Sequence, residues 1–457
     1  MRSAKRSLAS RPVLLIAFAF AVMGDPVSSV AYAIEAALRA LDGRLDLLLP
    51  TMLVVIGIIA LVIVNYHRLI ARFPGGGDAQ AAGTAFGEGW AFLPLGSLIV
   101  DYALTIAISC AAAASAVISY APGVAAARVP LALAMCAAVA ALTWFGHGGR
   151  SLFALMTISF VVVASVVIVS GLLAPHGSGG APSAPAGTGG SPLVAVLLAF
   201  PVAMALATGV EAPSSAVAQL GQLERAGKVR FGQVTLWLTL CIVGWLTIGL
   251  TVIAIRQHVG IPPADSTQIA GIARAAVGNG ALFAAFQATS AVLLLAAASS
   301  SFQAGPGLLK ALAGSPVQAG ILPRALGRSN VHHTPYWSVV VFLGVASAVI
   351  TAGGGREQEL VLFYAVAVFV SFMFGLLSMS AFSRREGRRL LLAVNVVSLA
   401  AVLLTLVVNL RRGYPIASLG AAMMVAAGLY VLWARAGRPG GVSAAELRAE
   451  EDLGASA

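Results

Sequence analysis

The chain carries little charge: Asp, Glu, Lys and Arg make up only 10% of its 457 residues. Soluble domains carry roughly 25%, so a globule that faces water on all sides is excluded. Cysteine is nearly absent. Cys110, Cys136 and Cys241 lie within apolar segments, without the paired spacing of a zinc site or a disulfide framework, and read as small core hydrophobes. His67, His147, His176, His258, His332 and His333 fall in or beside loops and form no ligand pattern. No nucleophile–base constellation and no cofactor fingerprint appears. The glycines of "FPGGGDAQAAGTAFG" (73–87) lack the Gly-Lys-Ser/Thr ending of a phosphate loop and follow no strand. The sequence therefore reads as neither an enzyme nor the holder of a resident cofactor.

What it has in abundance is apolar length. Hydrophobic residues make up 59% and the mean hydropathy is +0.93. A helix crossing a bilayer needs about 20 apolar residues, and about twelve such runs are present, with cores at 12–38, 47–66, 90–118, 129–146, 151–173, 192–219, 232–255, 279–304, 337–353, 360–382, 390–410 and 415–434. The lipid bilayer is the expected solvent. The run at 279–304 fades gradually and is expected to end in a loop. A net charge of +11 would also suit nucleic acid, but the basic residues sit in short loops and tails. An even number of spans places both termini on one side, together with 20 of the 28 Lys and Arg. That side is expected to be cytoplasmic, and the membrane the cell membrane. The start "MRSAKRS", an apolar core and "AYA" imitate a signal peptide. The Asp-Pro inside the core favours a first membrane helix instead. The Pro/Gly/Ser-rich stretch 174–192 reads as a flexible external connector. The segment 435–457 is too short to fold alone, so function is expected in the membrane part.

Of 17 acidic residues only Asp25, Glu35, Asp101 and Glu211 fall within the spans, and no Lys, Arg or His clearly does. An acid at the bilayer centre costs roughly 2.5 to 3.5 kcal/mol, so each is a candidate functional group. Without basic partners they call for cations. Asp25 lies in "MGDPVSS" and Glu211 in "LATGVEAPSSAVAQL"; Pro26-Val27-Ser28-Ser29 and Pro213-Ser214-Ser215 echo one another five spans apart. Such paired breaks mark inverted-repeat transporters; ordinary proline kinks are the alternative. Asp101, Thr105 and Ser109 follow at intervals of four along one helical face, and Thr208 lies one turn before Glu211. Hard oxygen ligands suit hard cations. Glu35 reads as a gate or as a charge at headgroup level.

The segments "GDPVSSVAYAIEAAL", "FPGGGDAQAA", "LIVDYALTIAIS", "ATGVEAPSSAV", "ILPRALG" and "LVLFYAVAVFVSF" resemble, in order over about residues 12–385, the KUP/KimA-type potassium-uptake permeases of the amino acid–polyamine–organocation (APC) superfamily. The resemblance implies an all-α, LeuT-like membrane fold with broken helices 1 and 6: a tail at 1–11, repeats at about 12–173 and 192–382, extra helices at 390–434 and a tail at 435–457. It also implies a K⁺ site built from Asp25, Tyr32, Asp101, Thr105, Ser109, Thr208, Glu211 and Tyr364. Members of this type usually carry a large cytoplasmic C-terminal domain, which this sequence does not show, so a homodimer is possible but not through such a domain. Asp25, at the first break and without a basic partner, is the expected proton-coupling group, with Glu211 the alternative. The rival reading is an amino acid or polyamine permease of the same superfamily, although Asp25 would repel a substrate carboxylate. For topology, a cysteine introduced into 174–192 should react with an impermeant maleimide on intact cells. Reaction only after permeabilisation would overturn the assigned sidedness.

Overall fold

The computed structural model describes residues 2–145, 150–173, 191–314, 320–411 and 415–456, with the side chains at 2–11, 150, 363–366, 415 and 456 outside the description. The connector at 174–190 lies outside it as well. Helices run in the order α1 (Arg2–Val22), α2 (Gly24–Ser28), α3 (Val30–Ala40), α4 (Leu48–Arg72), α5 (Gly77–Phe86), α6 (Phe92–Tyr120), α7 (Arg128–Trp144), α8 (Arg150–Leu173), α9 (Pro192–Ala203) and α10 (Ala212–Ala216). They continue with α11 (Arg225–Arg256), α12 (Gln268–Val277), α13 (Ala281–Ala313), α14 (Arg324–Gly327), α15 (Tyr336–Ala352), α16 (Glu357–Arg385), α17 (Arg389–Leu410), α18 (Pro415–Arg435) and α19 (Ala445–Ser456). No strand forms among the described residues. Lipid offers backbone N–H and C=O groups no partner, and a helix satisfies them within itself.

Ten of these helical segments are long and apolar enough to cross a bilayer. The remaining two expected spans are the interrupted first one and the 17-residue α15. Three boundaries differ from the sequence expectation. α13 does not fade after residue 304 but continues through Pro306 to Ala313, because Leu308, Leu309 and Leu312 stay buried beyond the proline. α16 begins at Glu357, which brings a further buried acid to the head of that span. A short helix, α12, buries Ile269, Ile272 and Ala276, and the Thr267 hydroxyl caps it by accepting from the Ala270 N–H.

The two breaks are unequal. In the sixth span the backbone leaves the helix at Thr208 (ψ 139°), and Gly209 adopts φ +75°, which only glycine takes without strain. In the first span Met23 and Ser29 keep right-handed helical angles. Pro26 there removes one donor rather than unwinding a turn. The helices around these breaks, α6 and α16, are buried over most of their length, whereas α7, α8, α17 and α18 turn Leu and Val outward. Gly96 on α6 lets α18 approach closely, since a Cβ there would lie 2.7 Å from the Ala426 nitrogen.

Both chain ends lie at one end of the bundle. Phe18 packs with Ala216, Val217 and Leu220, and α19 lies across the turn at Val217–Gln219 and along the end of α13. This end is called the tail face below. The segment 435–457 is too short to fold alone, yet its residues 445–456 form a helix against the bundle. The Glu88 carboxylate accepts from the Gly441 and Ser443 N–H groups at 3.2 and 2.8 Å, fixing the turn that leads into α19. The glycines at 75–77 leave room for it: a Cβ on Gly75 would fall 2.9 Å from Leu447 Cδ1, and one on Gly77 2.4 Å from Glu446 Oε2.

Next in sequence, Asp78 ties α5 to two spans. Tyr66 Oη donates to its Oδ2 at 2.5 Å and Ser371 Oγ donates at 3.0 Å. Gly375 provides the space, since a Cβ there would meet Asp78 Oδ1 at 2.1 Å. Burial pushes the Asp78 carboxyl up to about 7, against the lowering effect of the two hydroxyls. The folded chain therefore holds this proton more tightly than the unfolded one, whose value is 3.8. The stabilisation is complete below about pH 4 and is lost as pH rises towards about 7, at most about 4 kcal/mol. Thermal unfolding in detergent should show this decline, and Asp78→Asn should flatten it. An unchanged slope in the variant would contradict a proton-bound Asp78.

Candidate functional site

The unwound turn at Thr208–Glu211 and the proline turn at Asp25–Ser29 face one another. A Cβ on Gly209 would lie 2.7 Å from Asp25 Oδ2 and 2.9 Å from Pro26 Cδ, so the glycine lets the Asp25 carboxylate rest against the bare backbone of the sixth span. Asp25, Asp101 and Glu211 line a single cavity of about 120 Å³ beneath the breaks on the tail side. Asp101 and Glu211 are buried, and Asp25 is partly buried with its Oδ1 shielded from solvent. Asp25 Oδ1, Asp101 Oδ1 and Glu211 Oε2 have no hydrogen-bond partner, and among the described residues no ion pair reaches any of the three.

Above the acids lies a chain of hydroxyls. Tyr32 Oη is 2.9 Å from Ser29 Oγ, which is 2.6 Å from Thr208 Oγ1, and Thr208 donates to the Ala205 carbonyl at 2.9 Å. Each hydroxyl has one proton, so the order that satisfies all of them has Tyr32 donating to Ser29 and Ser29 donating to Thr208. Every oxygen in the chain then retains a lone pair for a cation. Ser29 joins the two broken spans, and the sequence reading missed it. Its only signal was its place in the repeated Pro-x-Ser-Ser and Pro-Ser-Ser pattern.

Thr105 and Ser109 are buried on the Asp101 face of α6 but outside the cavity lining. Most span hydroxyls return to the carbonyl four residues back, as Thr51 does to Leu47, Thr235 to Phe231 and Thr405 to Ala401. Ser109 does not. Its Oγ is unpartnered, a property shared with Ser97, Ser290, Thr247 and Thr251. The backbone of Tyr364 belongs to α16, and its side chain lies outside the described residues.

Glu35 differs from the expectation that the acids lack bases. Its carboxylate receives Arg39 at 2.8 Å and the Gln268 N–H at 2.9 Å. On the same, opposite face, Glu357 accepts from Ser115 and lies 3.9 Å from Arg128. These groups line a vestibule of about 410 Å³ with Arg356 and Glu359. The Arg39 signal was legible at i+4; the Gln268 bond was not, because it spans more than two hundred residues.

The family model described as amino acid permease matches residues 14–434. The chain belongs to the amino acid permease family. This permease is also 30% identical to the potassium transporter KimA of Bacillus subtilis (strain 168) over 368 residues, 76% of the chain and 58% of the relative. It thus spans little more than half the length of that curated relative. A mutant of the Eremococcus coleocola manganese transporter aligns over 92% of this chain and 94% of its own, with 13% identity and a TM-score of 0.48. The observed all-α bundle with interruptions in its first and sixth spans is the architecture the sequence resemblance implied, and the chain is a multi-pass membrane member of this family.

Removing the bridging hydroxyl should be felt in the permease's affinity. Ser29→Ala should raise the transport KM about tenfold, the equivalent of one buried hydrogen bond of roughly 1.4 kcal/mol. Ser28→Ala, whose hydroxyl serves only the Asp25 carbonyl, should change it less. Equal KM values for Ser29→Ala and the unsubstituted protein would remove Ser29 from the site.

Proposed function

We propose that the chain is a proton-coupled K⁺ uptake transporter of the cell membrane, with both termini in the cytoplasm. The observation that carries this reading is the group of three carboxylates in one cavity, each with a buried, unpartnered oxygen and none with a base among the described residues. Uncompensated charge in a low-dielectric setting is costly, and a cargo cation or a bound proton relieves it. The hydroxyl chain of Tyr32, Ser29 and Thr208, with Ser109 nearby on α6, supplies neutral oxygens of the type that replace the hydration shell of K⁺. Similarity to a potassium transporter supports the choice of ion. The sidedness rests on the sequence count that assigns 20 of the 28 basic residues to the same side as the termini.

In this reading Asp25, Tyr32, Asp101, Thr105, Ser109, Thr208, Glu211 and Tyr364 are the K⁺ ligands or their neighbours. Asp25 exchanges the coupled proton: it rests against the unwound turn of the sixth span at Gly209, so its charge state is linked to the conformation of that turn. Glu211 is the second candidate, at the far end of the same turn. Amino acid or polyamine transport is the alternative, favoured by the description of the matching family model. A zwitterion would bring its carboxylate against Asp25, whereas a cationic amine would not.

Expression in a bacterial strain lacking potassium uptake should restore growth at limiting K⁺. No rescue, together with uptake of labelled amino acids or amines, would favour the alternative. In vesicles with an inward proton gradient, Asp25→Asn should abolish K⁺ accumulation while K⁺ binding persists in weakened form. Wild-type K⁺-dependent proton influx in that variant would move the coupling role to Glu211, with Glu211→Gln the variant to compare.

A further inference from the structure

The tail helix brings its own acids to the transport cavity. Glu446 and Glu450, one turn apart on α19, line the same cavity as Asp25, Asp101 and Glu211, at its tail-face end. They are only 5% and 6% exposed. Glu450 accepts from Gln219 Nε2 at 2.6 Å, whereas Glu446 Oε2 has no partner. No Lys, Arg or His among the described residues pairs with either: the Lys310 ammonium goes to Asp452 at 3.2 Å, and Arg448 donates to the Gly441 carbonyl. Helix docking by itself explains the Ala445, Ala449 and Leu447 contacts. It gives no reason to bury two carboxylates one turn apart, facing a cavity that is already acidic.

We propose that Glu446 and Glu450, with the Gln219 side-chain oxygen and the hydroxyls of Ser215 and Ser301, form a second cation subsite at the tail-face mouth of the cavity. The occupant is a monovalent cation that keeps part of its water. Among the described residues no three acidic, His or Cys side chains converge closely enough to chelate a metal ion, which disfavours a dehydrated divalent ion. Burial, followed by the neighbouring Asp78 and Glu450 carboxyls, holds the Glu446 carboxyl well above the usual range, and burial raises Glu450. Both shifts disfavour a bare carboxylate pair in the empty subsite, and an arriving cation would offset that cost. The inference rests on the cation-transport reading above, and it makes α19 part of the ion path, as the last station on the tail face.

Rubidium, a congener of potassium, is a suitable probe. Equilibrium binding of radiolabelled rubidium to the purified full chain, with choline balancing ionic strength, should saturate with one more ion per chain than binding to the Glu446→Gln/Glu450→Gln variant. Asp452→Asn, on the exposed side of α19, should bind as the unsubstituted chain does. If the double variant does not fold, Glu446→Gln alone decides, since its amide replaces an oxygen that has no partner, and it should show the same loss. Identical isotherms for the unsubstituted chain and a folded variant would overturn the subsite and leave the transport reading intact. Absence of any rubidium binding to the unsubstituted chain, together with failed potassium rescue, would overturn the cation reading itself.

Discussion

A carboxylate in a bilayer-spanning bundle needs a charge to balance it, the acids at the breaks find no base among the described residues, and the architecture around the breaks follows from that constraint. Asp25, Asp101 and Glu211 each hold a buried, unpartnered oxygen and face one small cavity. Left alone they would destabilise the bundle. The fold tolerates them because α6 and the sixth span lie mostly inside the bundle, with α7, α8, α17 and α18 presenting Leu and Val outward. Gly209 is the backbone counterpart of this arrangement. Its positive φ unwinds the sixth span where the Asp25 carboxylate needs room.

The two ends of the bundle treat their acids in opposite ways. On the face away from the termini, Glu35 and Glu357 are neutralised by Arg39 and by Ser115 with Arg128, so the vestibule there is held by closed ion pairs. On the tail face, the carboxylates of the cavity remain without bases. Charge paired on one side and unpaired, among the described residues, on the other gives the vestibule and the cavity different electrostatic character.

α5 and α19 connect this asymmetry to the chain ends. The triple glycine at 75–77 resembles a phosphate loop only in composition. In the structure it is a recess against which Leu447 and Glu446 seat, and Asp78 immediately after it anchors α5 to Tyr66 and Ser371. One short segment thus positions the tail helix on one side and locks two spans on the other.

The spans, the acids and the matched breaks at Asp25 and Glu211 were legible in the sequence, because hydropathy and the cost of an intramembrane charge act residue by residue. So was the stripe of Asp101, Thr105 and Ser109, which needs only helical periodicity. The helical course of α13 beyond Pro306 was not, since burial of Leu308 and Leu312 by other helices outweighs a lost donor there. Ser29 as the bridge between Tyr32 and Thr208, the pairing of Glu35 with the Gln268 backbone, and the docking of residues 445–456 also escaped the sequence. The sequence by itself determined which groups must avoid lipid and where helices must bend, through local composition and spacing. Only the tertiary structure decided which of those groups meet: hydrogen bonds and glycine-sized gaps join positions hundreds of residues apart, and their geometry exists only once the helices have packed.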